Sequence, residues 1–333
     1  MRLKDCVVVI TGASSGIGRA TAIRLASKGA RLILAARGTE ALQTLAKECR
    51  KRGGKAIAVT TDTTDAEAME ALAARAVDEF GRLDGWVNNA AVSVFGRLTE
   101  IPLQDFQRVL DVNITGYVHG ARAALPRLHA QGSGVLINVA SIVGEVSQPY
   151  TAPYSMSKAA VRALGVSLRS ELRLDGVTGV KVCTILPAAI DTPFFQHAAN
   201  YTGRKVVAMP PVDTPARVAK SIVKALKRPR REVVVGPAGR YMVLNHRFLP
   251  GRVEDAMAIQ VDKTHLSRKL RSRELDGKPV PTLEPGSHCL RTRRMARPPA
   301  HCTAQGVYGT GRRGRRYSPS KAPTLKLTQL RSA

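Results

Sequence analysis

Three glycines, Gly12, Gly16 and Gly18, stand directly behind the run Cys6-Val7-Val8-Val9-Ile10-Thr11. A short apolar run that ends in a turn signal predicts a strand buried on both faces. Behind the glycines, Ile17, Ala20, Thr21, Leu25 and Ala26 recur at helical spacing until Gly29. The order is therefore strand, tight turn, helix. Glycine accepts the positive φ of such a turn and lets a ligand approach the main chain, while the helix N-terminus offers free N–H groups to an anion. Thr11-Gly12-Ala13-Ser14-Ser15-Gly16-Ile17-Gly18 thus predicts a βα unit that holds a pyrophosphate. The same glycines in any other setting would be an ordinary flexible turn.

The alternation continues along the chain. Apolar runs at residues 31–35, 56–60, 86–88, 135–139, 180–186 and 232–235 predict strands. Helices are predicted between them. Leu42, Leu45, Ala46 and Cys49 mark one that Gly53-Gly54 stops, and Asp65 is the candidate N-cap of the next. A long helix is expected over 103–128, with Pro126 ending or kinking it. Another opens at Pro153 and stops near Gly176, and the last of the series covers 214–227. Apolar strands alternating with helices predict an α/β fold of Rossmann type, a doubly wound parallel sheet with helices on both faces. No repeat or linker interrupts residues 1–240, which predicts a single Rossmann-type domain over 1–250, a helical extension over 251–275 and a tail over 276–333.

Two further signals carry chemistry. Tyr154 and Lys158 stand four apart in Tyr154-Ser155-Met156-Ser157-Lys158, so on a helix they share one face. A free tyrosine ionises near about pH 10 and a neighbouring cation lowers that value, which suits proton transfer to or from a substrate oxygen. The same spacing also occurs on plain solvated helices. The second strand ends in Ala35-Ala36-Arg37, without the acid that binds ribose hydroxyls in NAD-preferring folds. Arg37 suits a 2′-phosphate instead, so NADP is expected ahead of NAD, unless Arg37 is simply a solvated strand end.

With these residues in place the chain resembles the short-chain dehydrogenase/reductase family, in its single-domain branch. The Thr-Gly-x-x-x-Gly-x-Gly spacing matches, and further motifs follow in order over roughly residues 3–236. Asn88-Asn89-Ala90-Ala91 stands where the family has Asn-Asn-Ala-Gly, Asn113 lies in Asp111-Val112-Asn113, and Ser141 closes Asn138-Val139-Ala140-Ser141. Pro187-Ala188-Ala189-Ile190-Asp191-Thr192 resembles the segment that lines the nicotinamide. Ala91 and Ala188 replace usual glycines, and no catalytic position is lost.

The resemblance implies a catalytic set of Asn113, Ser141, Tyr154 and Lys158. Ser141 would hydrogen-bond the substrate oxygen, Tyr154 would exchange a proton with it, Lys158 would lower the tyrosine pKa and hold the nicotinamide ribose, and Asn113 would anchor a relaying water. The implied cofactor site comprises Gly12, Ser14, Ser15, Gly16, Ile17, Gly18, Arg37, Asp62, Asn88, Ala90, Tyr154, Lys158, Pro187, Ile190 and Thr192, with Asp62 toward adenine. Between the sixth strand and the next helix, Phe194 and Phe195 would face an apolar carbonyl or secondary alcohol substrate, opposite Val92 and Phe95. A homodimer or homotetramer built on the two long helices is implied as well.

Composition bounds the remaining readings. The formal charge is +27 over 333 residues, and it is uneven. From Pro281 onward stand eleven Lys or Arg and the single acid Glu284, a composition that predicts a disordered basic tail. Such a tail is either plain solvated chain or an attachment to nucleic acid or anionic membrane, the latter being the alternative function for the chain. The segment 240–249 is apolar with interspersed bases, so it covers the cleft, meets a partner subunit or lies on a membrane surface. Five scattered cysteines argue against a disulfide framework, and Val7–Ile10 is too short for a signal peptide; a cytoplasmic site is expected. His288-Cys289 and His301-Cys302 fit no compact zinc spacing, so no metal is expected.

Overall fold

The structure, a computed structural model, describes residues 2–271. In chain order its strands are β1 (Val7–Thr11), β2 (Arg31–Ala36), β3 (Lys55–Thr60), β4 (Gly85–Asn88), β5 (Val94–Phe95), β6 (Gly134–Val139), β7 (Val180–Leu186), β8 (Ala199–Asn200), β9 (Arg204–Val206), β10 (Glu232–Val234) and β11 (Leu266–Arg271). Seven of them form one sheet in the order β10-β7-β6-β4-β1-β2-β3, every pair parallel. The sheet order reverses at β1, whose neighbours are β2 and β4. In such sheets ligands bind outside the carboxyl ends of the strands at this reversal, where Gly12–Gly18 lies.

The helices cover both faces. They are α1 (Gly16–Ala26), α2 (Thr39–Lys51), α3 (Ala66–Phe80), α4 (Leu103–Leu110), α5 (Gly116–Ala130), α6 (Ala152–Leu174), α7 (Pro215–Lys227), α8 (Pro237–Phe248) and α9 (Pro250–Gln260). Side chains alternate across a strand, and β1 divides accordingly. Val8 and Ile10 pack in one core with Leu25, Leu42, Leu45, Ile222 and Leu226 from α1, α2 and α7. Val7 and Val9 pack in the other with Met69, Ala73, Ala124 and Leu128 from α3 and α5. Asp65 caps α3 through its carboxylate, which accepts from Ala68 N at 3.0 Å, and Gly81 ends that helix with φ of 76°.

Two predictions need correction. The long helix expected over 103–128 is α4 and α5 joined by a π-turn at Asp111–Thr115. It runs through Pro126 to Ala130 rather than ending there. Arg122, whose carbonyl loses its helical donor to Pro126, and Pro126 itself are both exposed, so solvent serves that carbonyl. Of the extension expected to be helical over 251–275, residues up to 271 are described, and they form α9 and a second π-turn, Val261–His265, followed by β11. β11 pairs antiparallel with β9, Leu266 opposite Val206. The tail expected over 276–333, with its His-Cys pairs and the alternative attachment to nucleic acid or membrane, lies outside the described residues.

Candidate active site

The carboxyl ends of β1, β4, β6 and β7 open into one elongated cleft of about 560 Å³. One end is lined by Arg37 and Asp62, the middle by Gly12–Ile17, Ala90, Ser141, Tyr154, Lys158 and Pro187–Thr192, and the far end by Val92, Phe95, Phe194 and Phe195. The glycine turn is built for close approach. A Cβ on Gly12, whose φ is 61°, would stand 2.7 Å from Ala90 Cα, and one on Gly16 would stand 3.1 Å from the Thr192 methyl. Asn89 ties the turn to β4, donating through Nδ2 to the carbonyls of Thr11 (3.0 Å) and Gly12 (3.1 Å). Ser15 begins α1 but makes no side-chain cap, and the first turn holds no acid. Its leading N–H groups therefore face the cleft uncompensated, which favours an anion. A cavity of this length with a glycine cradle at a helix N-terminus fits a dinucleotide.

Tyr154 and Lys158 enter from α6 on adjacent turns. Lys158 is 1% exposed. Its Nζ donates to Val139 O at 3.0 Å and Tyr117 Oη at 3.3 Å, and lies 5.5 Å from the Tyr154 ring centroid. Burial brings its amine down to about 7. Burial pushes the Tyr154 phenol up to about 12, and the Ser141 hydroxyl pulls it partway back. The expected lowering of the tyrosine by Lys158 is therefore corrected. Both groups are driven toward their neutral forms because a dry wall penalises either charge. Ser141 is fixed in turn, donating to Pro187 O at 3.3 Å and accepting from Val143 N at 3.3 Å.

Three predicted site residues do not line the cleft. Asn88 shares its strand face with Trp86, because side chains two apart point the same way. Its amide accepts from Trp86 Nε1 at 2.7 Å and donates to Asn138 Oδ1 at 3.0 Å; Asn89 holds the position expected of it. Gly18 is buried, and a Cβ there would stand 2.3 Å from Gly12 O, so it lets α1 dock on the turn rather than touching a ligand. Asn113 is fully buried in the π-turn. Its Oδ1 accepts from Val92 N at 2.9 Å, and its Nδ2 donates to Val92 O at 2.9 Å and Ser157 Oγ at 3.0 Å.

Asp62 lines the cleft, yet its carboxylate is already committed. It accepts from Thr64 N and Oγ1 at 3.0 and 2.8 Å and from Arg108 Nη2 at 3.0 Å. Burial alone would raise its pKa, but these donors outweigh it and hold the carboxyl below its usual value. Arg37 is exposed at the same end, and no described residue pairs with it. At the far end Phe194 lies 5.4 Å from Tyr154 and 5.6 Å from Phe195 between ring centroids. β5 and β8 pair beneath this aromatic group. Sequence reasoning missed Arg108, Met257 and His265, which also border the cleft. A helical arginine and two residues of a C-terminal extension carry no motif that would have flagged them.

The family model for short chain dehydrogenases matches residues 6–201. The chain belongs to the short-chain dehydrogenase/reductase family. Among curated members it is 37% identical over 276 residues to the uncharacterized oxidoreductase YxnA of Bacillus subtilis, covering 82% of this chain and 77% of that one. It is 35% identical over 247 residues to the uncharacterized oxidoreductase Lmo0432 of Listeria monocytogenes, 72% of this chain and 99% of its relative. Among solved structures, a short chain dehydrogenase/reductase from Burkholderia phymatum in complex with NAD superposes with a TM-score of 0.68 at 29% identity, covering 76% of this chain and 96% of that one. An alcohol dehydrogenase from Thermococcus sibiricus complexed with 5-hydroxy-NADP gives 0.60 at 29% identity, with coverage of 69% and 96%. This dehydrogenase/reductase is thus an NAD(P)-dependent enzyme acting on small molecules, with the Rossmann sheet predicted for it.

Proposed function

We propose that the protein is an NADP-dependent oxidoreductase that interconverts an apolar ketone or aldehyde and its alcohol. The observation that carries this reading is Tyr154 in the cleft wall, with Ser141 within hydrogen-bonding reach and the phenol kept protonated by burial. The nicotinamide supplies the hydride in reduction and accepts one in oxidation. Ser141, its hydroxyl turned away from Pro187 O, donates to the substrate oxygen where negative charge develops. Tyr154 Oη gives that oxygen its proton in reduction and takes the hydroxyl proton in oxidation. Lys158, poised near neutrality, passes protons on and offers its ammonium to the ribose. Asn113 positions the Val92 strand edge through its amide, so any water it anchors is held by its main chain.

The pyrophosphate would rest on the Gly12–Ile17 turn and the α1 N-terminus. Ala90, Pro187, Ile190 and Thr192 would wall the nicotinamide half. Arg37 favours NADP, because no described residue pairs with its guanidinium and β2 ends without the acid that would hold the ribose hydroxyls. A homodimer or homotetramer through α4 and α6 is supported by Leu103, Met156, Val166 and Leu174, large apolar residues exposed on those helices. The experiment is Tyr154→Phe. Ketone-dependent NADPH oxidation should fall at least about a hundredfold, the scale of lost acid–base catalysis, while NADPH affinity stays within about threefold. Undiminished turnover would remove Tyr154 from the reaction.

A further inference from the structure

After the sheet is complete, the chain returns to the cleft. α9 brings Met257 to its far wall and the π-turn brings His265, both buried. His265 is 2% exposed. Its ring meets Phe95 edge-on at 5.2 Å and Phe195 edge-on at 5.4 Å between centroids. Its Nδ1 is bound to the main-chain carbonyl of Val207. A carbonyl only accepts, so Nδ1 carries the ring proton. Burial holds the imidazole below its ordinary pKa, the carbonyl pulling weakly the other way, so the ring is neutral. Nε2 is then an acceptor and nothing else.

No described residue donates to that Nε2. Phe95 and Phe195 pack edge-on against its ring, and Met209 and Met257 line the same cleft; none of the four can. An apolar wall of this kind ranks ligands by bulk, and only weakly. One acceptor set in such a wall discriminates more sharply, because an unmatched polar group loses its solvation on ligand entry. We propose that His265 is a specificity-determining residue: Nε2 accepts a hydrogen bond from a hydroxyl on the apolar body of the substrate, so the preferred substrate is a hydroxylated ketone or its alcohol, held with the reacting carbonyl toward Tyr154. This rests on the oxidoreductase reading for the identity of the reacting group, but not for the contact itself.

The test is therefore one of binding. Full-length protein saturated with NADP+, which cannot reduce a ketone, is titrated by calorimetry with two matched pairs: acetophenone against 4′-hydroxyacetophenone, and 4-phenyl-2-butanone against 4-(4-hydroxyphenyl)-2-butanone. In at least one pair the hydroxylated member should bind about tenfold tighter. In His265→Phe that ratio should fall to within about twofold. A ratio measured on one preparation does not depend on the fraction folded. His265→Gln, which keeps an acceptor, should retain part of the preference. Equal affinity within both pairs, no binding of any probe, or an unchanged ratio in His265→Phe would overturn the proposal. Failure of the oxidoreductase reading appears elsewhere, as turnover that survives Tyr154→Phe.

Discussion

Lys158 couples its ionisation to folding. Its amine loses a proton near pH 7 in the folded protein and near about 10.4 in an unfolded chain. Between those values the unfolded chain binds a proton that the folded one does not, so rising pH favours the folded state; below pH 7 both are charged and the folded protein carries a buried ammonium at full cost. Lys158→Met leaves no orphaned acceptor, because Tyr117 Oη still donates to Val139 O at 2.8 Å. The variant should be more stable at pH 6, and should lack the gain of about 1.4 kcal/mol per pH unit that Lys158 contributes between 7 and 10. Denaturant titrations at pH 6, 8 and 9.5 measure this, and parallel profiles for the two proteins would contradict it. Arg37 gives a second residue-scale prediction. Arg37→Asp should weaken NADPH at least about tenfold relative to NADH, since a carboxylate repels a 2′-phosphate and accepts from ribose hydroxyls. An unchanged NADPH/NADH ratio in kcat/KM would clear Arg37 of the role.

Among elements, the π-turn between α4 and α5 has the most specific task. It turns the Asn113 amide onto both main-chain polar groups of Val92, and so fixes the entry to β5 and Phe95. Asn113→Ala strips partners from a half-buried N–H and C=O, a loss of at most about 2–4 kcal/mol at about 1–3 per orphaned group and less where water reaches them. Alongside that drop in stability, KM for a ketone should rise more than KM for NADPH, because β5 borders the substrate end; equal effects on both would argue for a diffuse defect.

The same turn shows what a sequence can display. The seven sheet strands stood out because parallel strands buried on both faces read as continuous apolar runs. The cleft's glycines, serine, tyrosine and lysine stood out because spacing along one segment fixes their relation. Asn88 was misplaced by one residue because strand alternation decides which of two neighbouring asparagines faces the turn. The strands β5, β8 and β9 have two or three residues, too few to carry a period, and β11 lies about sixty residues from its partner β9. His265 escaped for the same reason, its meaning residing wholly in what folds against it.

At the scale of the molecule, the proposed oligomer would cover apolar residues on the outer faces of α4 and α6. Leu103 and Leu174 are 83% and 86% exposed, far more than a lone monomer gains from, although scattered single cases are ordinary. Leu174→Glu combined with Val166→Glu should shift the protein toward a monomer in sedimentation without loss of secondary structure. A wild-type protein that sediments as a monomer would dispose of that interface.

β11 closes on β9 only after β10 has completed the sheet, so the chain is made in a consequential order. Ribosomes add about 5–20 residues each second, and residues 235–271 follow the last sheet strand. For a few seconds a growing chain owns its nucleotide cradle, its tyrosine, its lysine and the aromatics at its far end, but not the Met257 and His265 side of that wall. On the role proposed for His265, nucleotide would therefore steady the nascent protein before the residue that chooses among substrates is in place.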